Sequence, residues 1–212
     1  MVNKIIIGLT GKYCAGKNHI ALLLEKRGLP VLDVDKLGHR VIEMEKNRLT
    51  ARFGSDILGS DGCVDRKLLG SKVFGRSGEL AALEEIIHPV VNRETLAWIR
   101  ERKEKACVIN AALLHRSSAF DELTAIIIVE APLIARMLRA RKRDHLSWAA
   151  ISKRFRSQRS FDTQYLKGKA DIYKVSNPSF CRAAGFSGFG GQKQRDRPEK
   201  RIDEILSLLG VI

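Results

Sequence analysis

A chain of 212 residues suits one domain, and at this size folding buries about 70% of the unfolded surface, enough for an ordinary apolar core. Hydrophobic residues make up 44% and charged residues 29%, and no stretch approaches the roughly 20 apolar residues of a membrane-spanning helix, so a soluble globular protein is expected and a helical membrane protein is excluded. The net charge of +14 fits a nucleic-acid surface, an anion-rich substrate site or a generally basic proteome, but with 6% aromatic residues the basic stretches lack the interleaved rings of a base-stacking platform.

Met-Val-Asn-Lys runs straight into the apolar stretch Lys4–Leu9, the first expected strand; no leader or transit pattern precedes it, and a cytoplasmic location is expected. Residues 8–20 then read GLTGKYCAGKNHI. Gly11, four residues, then Gly16-Lys17 is the spacing of a phosphate-binding loop, and it sits between a strand and the helical Ile20–Arg27, as a triphosphate site requires. Gly11 and Gly16 allow a close backbone approach, so the amides of Lys12, Tyr13, Cys14, Ala15 and Gly16 and the following helix dipole can wrap a phosphate. Lys17 supplies charge to the β- and γ-phosphates. Asn18 stands where a Ser or Thr hydroxyl ordinarily ligates magnesium; its amide oxygen can ligate a hard cation, with a different reach. His19 reads as a surface residue at the helix start.

Gly28-Leu29-Pro30 ends the helix, and Val31–Asp35 is the second expected strand. Strand alternation predicts Asp33 and Asp35 on one side, at the sheet edge. There a carboxylate can accept the proton of an attacking hydroxyl. Asp35 serves equally as a cap for the next helix, whereas Asp33, deeper in the strand, points to chemistry. Helical patterns follow over Lys36–Phe53 and Arg66–Lys103, flanking a Gly- and Asp-bearing loop at Ser55–Asp65. His88, before Pro89, is by base rate more often structural than catalytic. Strands at Cys107–Ala112, Ala125–Glu130 and Asp171–Val175 complete an alternation that implies an α/β protein with a parallel sheet covered on both faces.

Leu133 to about Gln158 is helical and strongly basic, with a break near Arg143–Ser147 where Ser147 can cap a second helix; two such helices hinged over the phosphate loop would form a lid. Arg139 and Arg143, four apart, share a helical face and suit a transferring phosphoryl group, while Arg136 and Lys142 read as part of a solvated basic face. Beyond Asn177 a Gly- and Arg-rich stretch reads as a flexible loop before a short terminal helix at Ile202–Leu209. The four cysteines and five histidines are scattered singly, which argues against structural zinc and for reduced thiols.

With these residues assembled, residues 4–177 resemble the dephospho-CoA kinase family. Ile7-Gly-Leu-Thr-Gly11 is similar to the family's entry into its phosphate loop, and Asp33-Val-Asp35-Lys-Leu-Gly-His39 to its D-x-D-x-x-x-H segment, whose first aspartate is the proposed base. Asp65–Leu69, Lys72–Phe74 and Leu83-Glu-Glu-Ile-Ile-His88-Pro89 resemble its substrate-side helices. Arg139, Arg143, Arg154 and Gln158 fall where its lid has them, and Ala170-Asp171 is similar to its closing motif. The chain departs from the family pattern in two places. Lys12, Cys14, Asn18 and His19 replace small loop residues, and Asn110 stands where the family's third strand usually carries an acid.

The resemblance implies a P-loop kinase fold: a five-stranded, mostly parallel sheet flanked by helices, with a helical lid and a helical substrate-side subdomain. One domain would cover 1–212, with substrate-side helices at about 36–103, the lid at about 133–165 and a flexible basic loop at 178–201. It implies ATP and dephospho-CoA as partners, magnesium as cofactor, and phosphorylation of the 3′-hydroxyl of dephospho-CoA to give coenzyme A. ATP would be held by Gly11 to Asn18, with Asn18 the metal ligand; Lys17, Asp33, Arg139 and Arg143 would be catalytic; Asp35, His39, His88, Asn110, Leu113 and Leu114 would bind the acceptor. Neither nucleic acid nor membrane is an expected partner. Two alternatives stand beside this expectation: a nucleoside or other small-molecule kinase of the same architecture, which the block around His88 disfavours, and a divergent nucleotide-binding module with weak catalysis, motivated by Asn18, Asn110 and the charge.

Overall fold

The computed structural model of the chain describes residues 4–156, 158, 161, 165, 169–178 and 197–212. Five strands, β1 (Ile5–Gly11), β2 (Val31–Asp33), β3 (Ala106–Asn110), β4 (Ala125–Glu130) and β5 (Asp171–Ser176), form one sheet in the order β2-β3-β1-β4-β5. The β1–β3, β1–β4 and β4–β5 pairs are parallel, which requires crossover connections rather than hairpins. The chain divides into two units, one made of Met1–Val31 with Arg102–Ile212, the other of Leu32–Glu101.

In the first unit, Ile7 and Leu9 of β1, Val108 of β3, Ile127 and Val129 of β4 and Val175 of β5 present one sheet face. Ile20, Ala21 and Leu24 of α1 (Lys17–Glu25) cover it together with Ile202, Ile205 and Leu206 of the C-terminal helix (Pro198–Leu208). Across the sheet, Gly8 lies under Leu114 and Leu123. A Cβ there would come within 2.9 Å of a Leu123 methyl, so the absent side chain is what lets those leucines seat on β1. No helix among the described residues is long and apolar enough to cross a membrane.

The second unit is helical: α2 (Val34–Met44), α3 (Lys46–Phe53), α4 (Arg66–Val73) and α5 (Ser77–Glu101). The expected helix Lys36–Phe53 is split at Glu45, whose ψ of 16° leaves the helical range. Arg66–Lys103 is divided by Gly75 in the left-handed region (φ 82°). Pro89, by contrast, stays inside α5, where it has no N–H to give the preceding turn. The loop before α4 is tied down by the Leu58–Val64 antiparallel bridge and by the Val64 N–H donating to Glu43 Oε2 at 2.9 Å. Asp65 caps α4, accepting the Lys67 N–H at 2.7 Å.

In the first unit, α6 (Leu133–Asp144) and α7 (Trp148–Arg156) realise the two basic helices. His145 at φ 53° makes the break, and Ser147 Oγ accepts the Ala150 N–H at 3.2 Å, the expected cap. The lid as expected over 133–165 is described through 156 and at 158, 161 and 165; of the basic loop 178–201, residues 179–196 lie outside the described residues.

Candidate active site

The turn from β1 into α1 carries the loop, and its backbone is shaped by what holds its carbonyls. Arg136 Nε donates to the Tyr13 carbonyl at 2.9 Å. Arg139 Nη1 donates to the carbonyls of Cys14 at 3.2 Å and Ala15 at 2.9 Å, while its Nη2 reaches the Asn177 carbonyl at 2.8 Å. Asn177 Nδ2 adds a second bond to Ala15 O at 3.1 Å. In a trans peptide the N–H opposes the C=O, so tying back the carbonyls of Tyr13 and Ala15 turns the N–H groups of Cys14 and Gly16 the other way. Backbone N–H groups turned outward in this way can receive an anion. Gly16 is at φ 97°, and a Cβ on it would collide with Asn177 Nδ2, so both the angle and the space demand glycine. Cys14 also lies in the left-handed region, at φ 59°.

Lys17 and Asn18 open α1, Lys17 half-buried and Asn18 and His19 exposed. Asn110 ends β3 opposite Leu9, is 2% exposed, and its side-chain oxygen has no hydrogen-bond partner among the described residues. Leu113 is 54% exposed, whereas Leu114 is fully buried against Gly8, a core position. Tyr165 braces this loop from inside, its hydroxyl 3.3 Å from Thr10 Oγ1 and 3.4 Å from His115 Nδ1. Burial, and then the neighbouring Arg116, push the His115 imidazole pKa down.

Helices α6 and α7 meet the loop at Tyr13. Its N–H donates to Gln158 Oε1 at 2.7 Å and its hydroxyl donates to Asp144. Its ring packs edge-on to Phe155 at 5.8 Å, with the Arg143 guanidinium 5.2 Å and that of Arg154 5.5 Å from the ring centre. Arg143 forks onto Asp144 through Nε at 2.8 Å and Nη2 at 3.1 Å. The Arg143 bonds are the main reason the Asp144 carboxyl titrates at about 2 rather than 3.8. A cleft of about 470 Å³ opens here, lined by Lys12, Leu133, Arg136, Met137, Phe155 and Gln158 among others.

The depressed pKa carries a sign. The Asp144 pairing stabilises the fold above the carboxyl's unfolded pKa near 4, and the contribution is lost as pH falls through about 2. Asp144→Asn is therefore expected to lower urea-unfolding stability by about 1 kcal/mol at pH 6, a value reduced for solvent screening. The gap between the two proteins should narrow steadily below pH 4. A gap that is constant down to pH 3 would remove the ion pair as its source.

In the second unit, Asp33 ends β2 and caps α2, Oδ1 accepting the Lys36 N–H at 3.1 Å. The expected alternation of Asp33 and Asp35 along one strand does not hold, because the strand stops at Asp33 and Asp35 sits in the first turn of α2. The cap is thus Asp33, whose extended backbone (φ −85°, ψ 98°) suits an N-cap. Asp35 and His39 lie exposed on α2, four residues apart, and His88 is half-buried on α5.

A family model for dephospho-CoA kinase matches residues 5–177, well over half of the chain and across both units. The chain belongs to the dephospho-CoA kinase family. Among its relatives, the dephospho-CoA kinase of Shouchella clausii is 33% identical over 177 residues, 81% of this chain and 89% of that one. That of Anaeromyxobacter dehalogenans is 36% identical over 179 residues, 82% and 85% of the two chains. Of solved structures, TT1252 from Thermus thermophilus superposes with a TM-score of 0.76 at 28% identity, covering 98% of each chain. Dephospho-CoA kinase from Campylobacter jejuni has a TM-score of 0.62 at 21% identity, covering 97% of each chain, and supports the same fold.

For a dephospho-CoA kinase family member, the residues that sequence reasoning missed are those that shape the loop. Arg136, set aside as solvated, is 8% exposed and holds a loop carbonyl. The signal was present: 136, 139 and 143 are spaced i, i+3, i+7 and form one stripe of α6. Asp144 and Asn177 carried no comparable signal, since the bonds by which they reach the loop, to Tyr13 and Ala15, span more than a hundred positions.

Proposed function

We infer that this chain transfers the γ-phosphoryl group of ATP to dephospho-CoA, the step that completes coenzyme A. The observation that carries the acceptor is the family match over residues 5–177, which includes the helical unit as well as the phosphate loop. In detail, the acceptor group is the ribose 3′-hydroxyl.

The roles proposed for individual residues follow from their positions. The loop amides cradle the β-phosphate, and Lys17, at the N-terminus of α1, adds its ammonium charge to the helix dipole. Asp33, whose Oδ1 holds the α2 cap, accepts the proton of the acceptor hydroxyl. Arg143, with its side chain 61% exposed beside Tyr13, supplies positive charge to the phosphates from the lid. Arg139 is a positioning residue, its guanidinium committed to the loop carbonyls rather than held over the ligand. Asp35, His39, His88 and the exposed Leu113 are the acceptor-side candidates.

Asn18 and Asn110 are the residues that would hold a magnesium ion, which would supply positive charge to offset that of the phosphates. The residues fit such an ion: Asn18 stands at the hydroxyl's place on α1, and the buried side-chain oxygen of Asn110 lacks a hydrogen-bond partner among the described residues.

The test is direct. Incubating the protein with ATP, magnesium and dephospho-CoA should give a product heavier by one phosphoryl group, identified as coenzyme A by mass. A panel of nucleosides under the same conditions should stay unmodified; phosphorylation of a nucleoside in place of dephospho-CoA would sink the assignment.

A further inference from the structure

The geometry points to Tyr13 as a positioning residue: its hydroxyl fixes the Asp144 carboxylate between Arg143 and Arg154, and so holds α7 and the Arg143 guanidinium against the phosphate loop through contacts within the protein. The inference rests on the phosphoryl transfer proposed above and deepens it.

Backbone, ring and hydroxyl of Tyr13 are each engaged by α6, α7 or Gln158. The carbonyl accepts from Arg136 Nε at 2.9 Å, and the N–H donates to Gln158 Oε1 at 2.7 Å. The ring meets Phe155 edge-on, and the Arg136 guanidinium lies 4.4 Å from the centre of the Phe155 ring, which ties α6 to α7. The hydroxyl donates to Asp144 Oδ2 and accepts from Arg154 Nη1 at 3.1 Å. The same Oδ2 receives Arg143 Nη2 at 3.1 Å and Arg154 Nη1 at 3.4 Å. Two guanidinium groups drawn to one ring repel each other, and a carboxylate between them offsets that repulsion. An O–H donating to a carboxylate is among the stronger hydrogen bonds, so the Tyr13 hydroxyl sets where this carboxylate stands.

Helix α7 needs such an anchor. It has nine residues, short of the length at which a helix holds itself together in water. Of these Ile151 alone is buried, so little apolar contact keeps the helix in place. Arg154 and Phe155 carry its attachment to Tyr13.

Arg143 is the group this arrangement serves. Asp144 holds its Nε and Nη2, whereas Nη1 makes no hydrogen bond among the described residues. Burial pushes the Cys14 thiol pKa up and the Arg143 charge opposes it, so the guanidinium also stands near the next loop residue. A charge held in place by its neighbours needs no reorganisation when phosphoryl transfer draws on it.

The test uses Tyr13→Phe, which keeps the ring and removes the hydroxyl. With neither ATP nor dephospho-CoA present, amide hydrogen exchange over 148–156 should run about fivefold faster than in the native chain, with β1 and β4 unchanged. Under turnover, kcat should fall about tenfold while the KM for ATP stays within about threefold. In an Arg143→Ala background the same substitution should change kcat by no more than about twofold, because the group it positions is gone. Asp144→Asn, which removes the charge on the other side of the bond, should reproduce both the faster exchange and the loss of kcat. Unchanged exchange in α7, a loss confined to KM, or equal kcat losses with and without Arg143 overturns the inference. The exchange measurement involves no substrate, so it decides the Tyr13 contact even where the native chain makes no coenzyme A, a result that would instead remove the functional reading.

Discussion

Lys17→Ala is expected to lower kcat/KM by about 10²- to 10³-fold, the usual loss when one preorganised charge on a transferring phosphoryl group is removed. Lys17 is the first residue of α1 and follows Gly16, whose left-handed φ of 97° turns the chain into the helix. Its side chain therefore starts where the helix dipole and the loop amides favour anions, and in the proposed reaction the three effects would act on the same phosphates. The fold should survive: the core side of α1 is Ile20, Ala21, Leu23 and Leu24, which the substitution leaves in place. Steady-state kinetics alongside thermal unfolding decide the matter. Activity within threefold of native would show that Lys17 does not touch the transferring group, and a large drop in melting temperature would move its role to the fold.

What could be read in advance depended on whether the deciding contacts were local. The five strands and the loop were legible because each is a short apolar run or a fixed glycine spacing, set by neighbours along the chain. The break between α6 and α7 was legible for the same reason, since Ser147 caps its own helix. The end of β2 was not. Apolar-polar alternation continues through Asp35, yet the Asp33 carboxylate captures the Lys36 N–H and starts the helix two residues early. Arg136 and Arg139 show the larger gap. A run of arginines along a helix ordinarily means solvent, and only the packed structure reveals that two of them face backbone carbonyls of the loop. Asn177, 162 residues from its partner Ala15, is a contact of the same kind.

The cap at Asp33 makes its chemical role separable from its structural one. Asparagine is as good an N-cap as aspartate, so Asp33→Asn keeps the bond to the Lys36 N–H, while the neutral amide cannot take a proton. Its kcat should fall about 10²- to 10⁴-fold, with the melting temperature unchanged. Asp33→Ala should lose the same activity and in addition about 1 kcal/mol of stability, seen as a melting point about 2–4 °C lower in a chain of this size. The pair of variants resolves three cases. Loss of activity in both, with loss of stability only in the alanine variant, assigns the carboxylate to proton transfer and the cap to either oxygen-bearing side chain. Activity retained in the asparagine variant and lost in the alanine one would make Asp33 a cap alone, holding the start of α2 and with it Asp35 and His39. Activity retained in both would return the search for the base to those two residues, which lie on the first turns of the same helix.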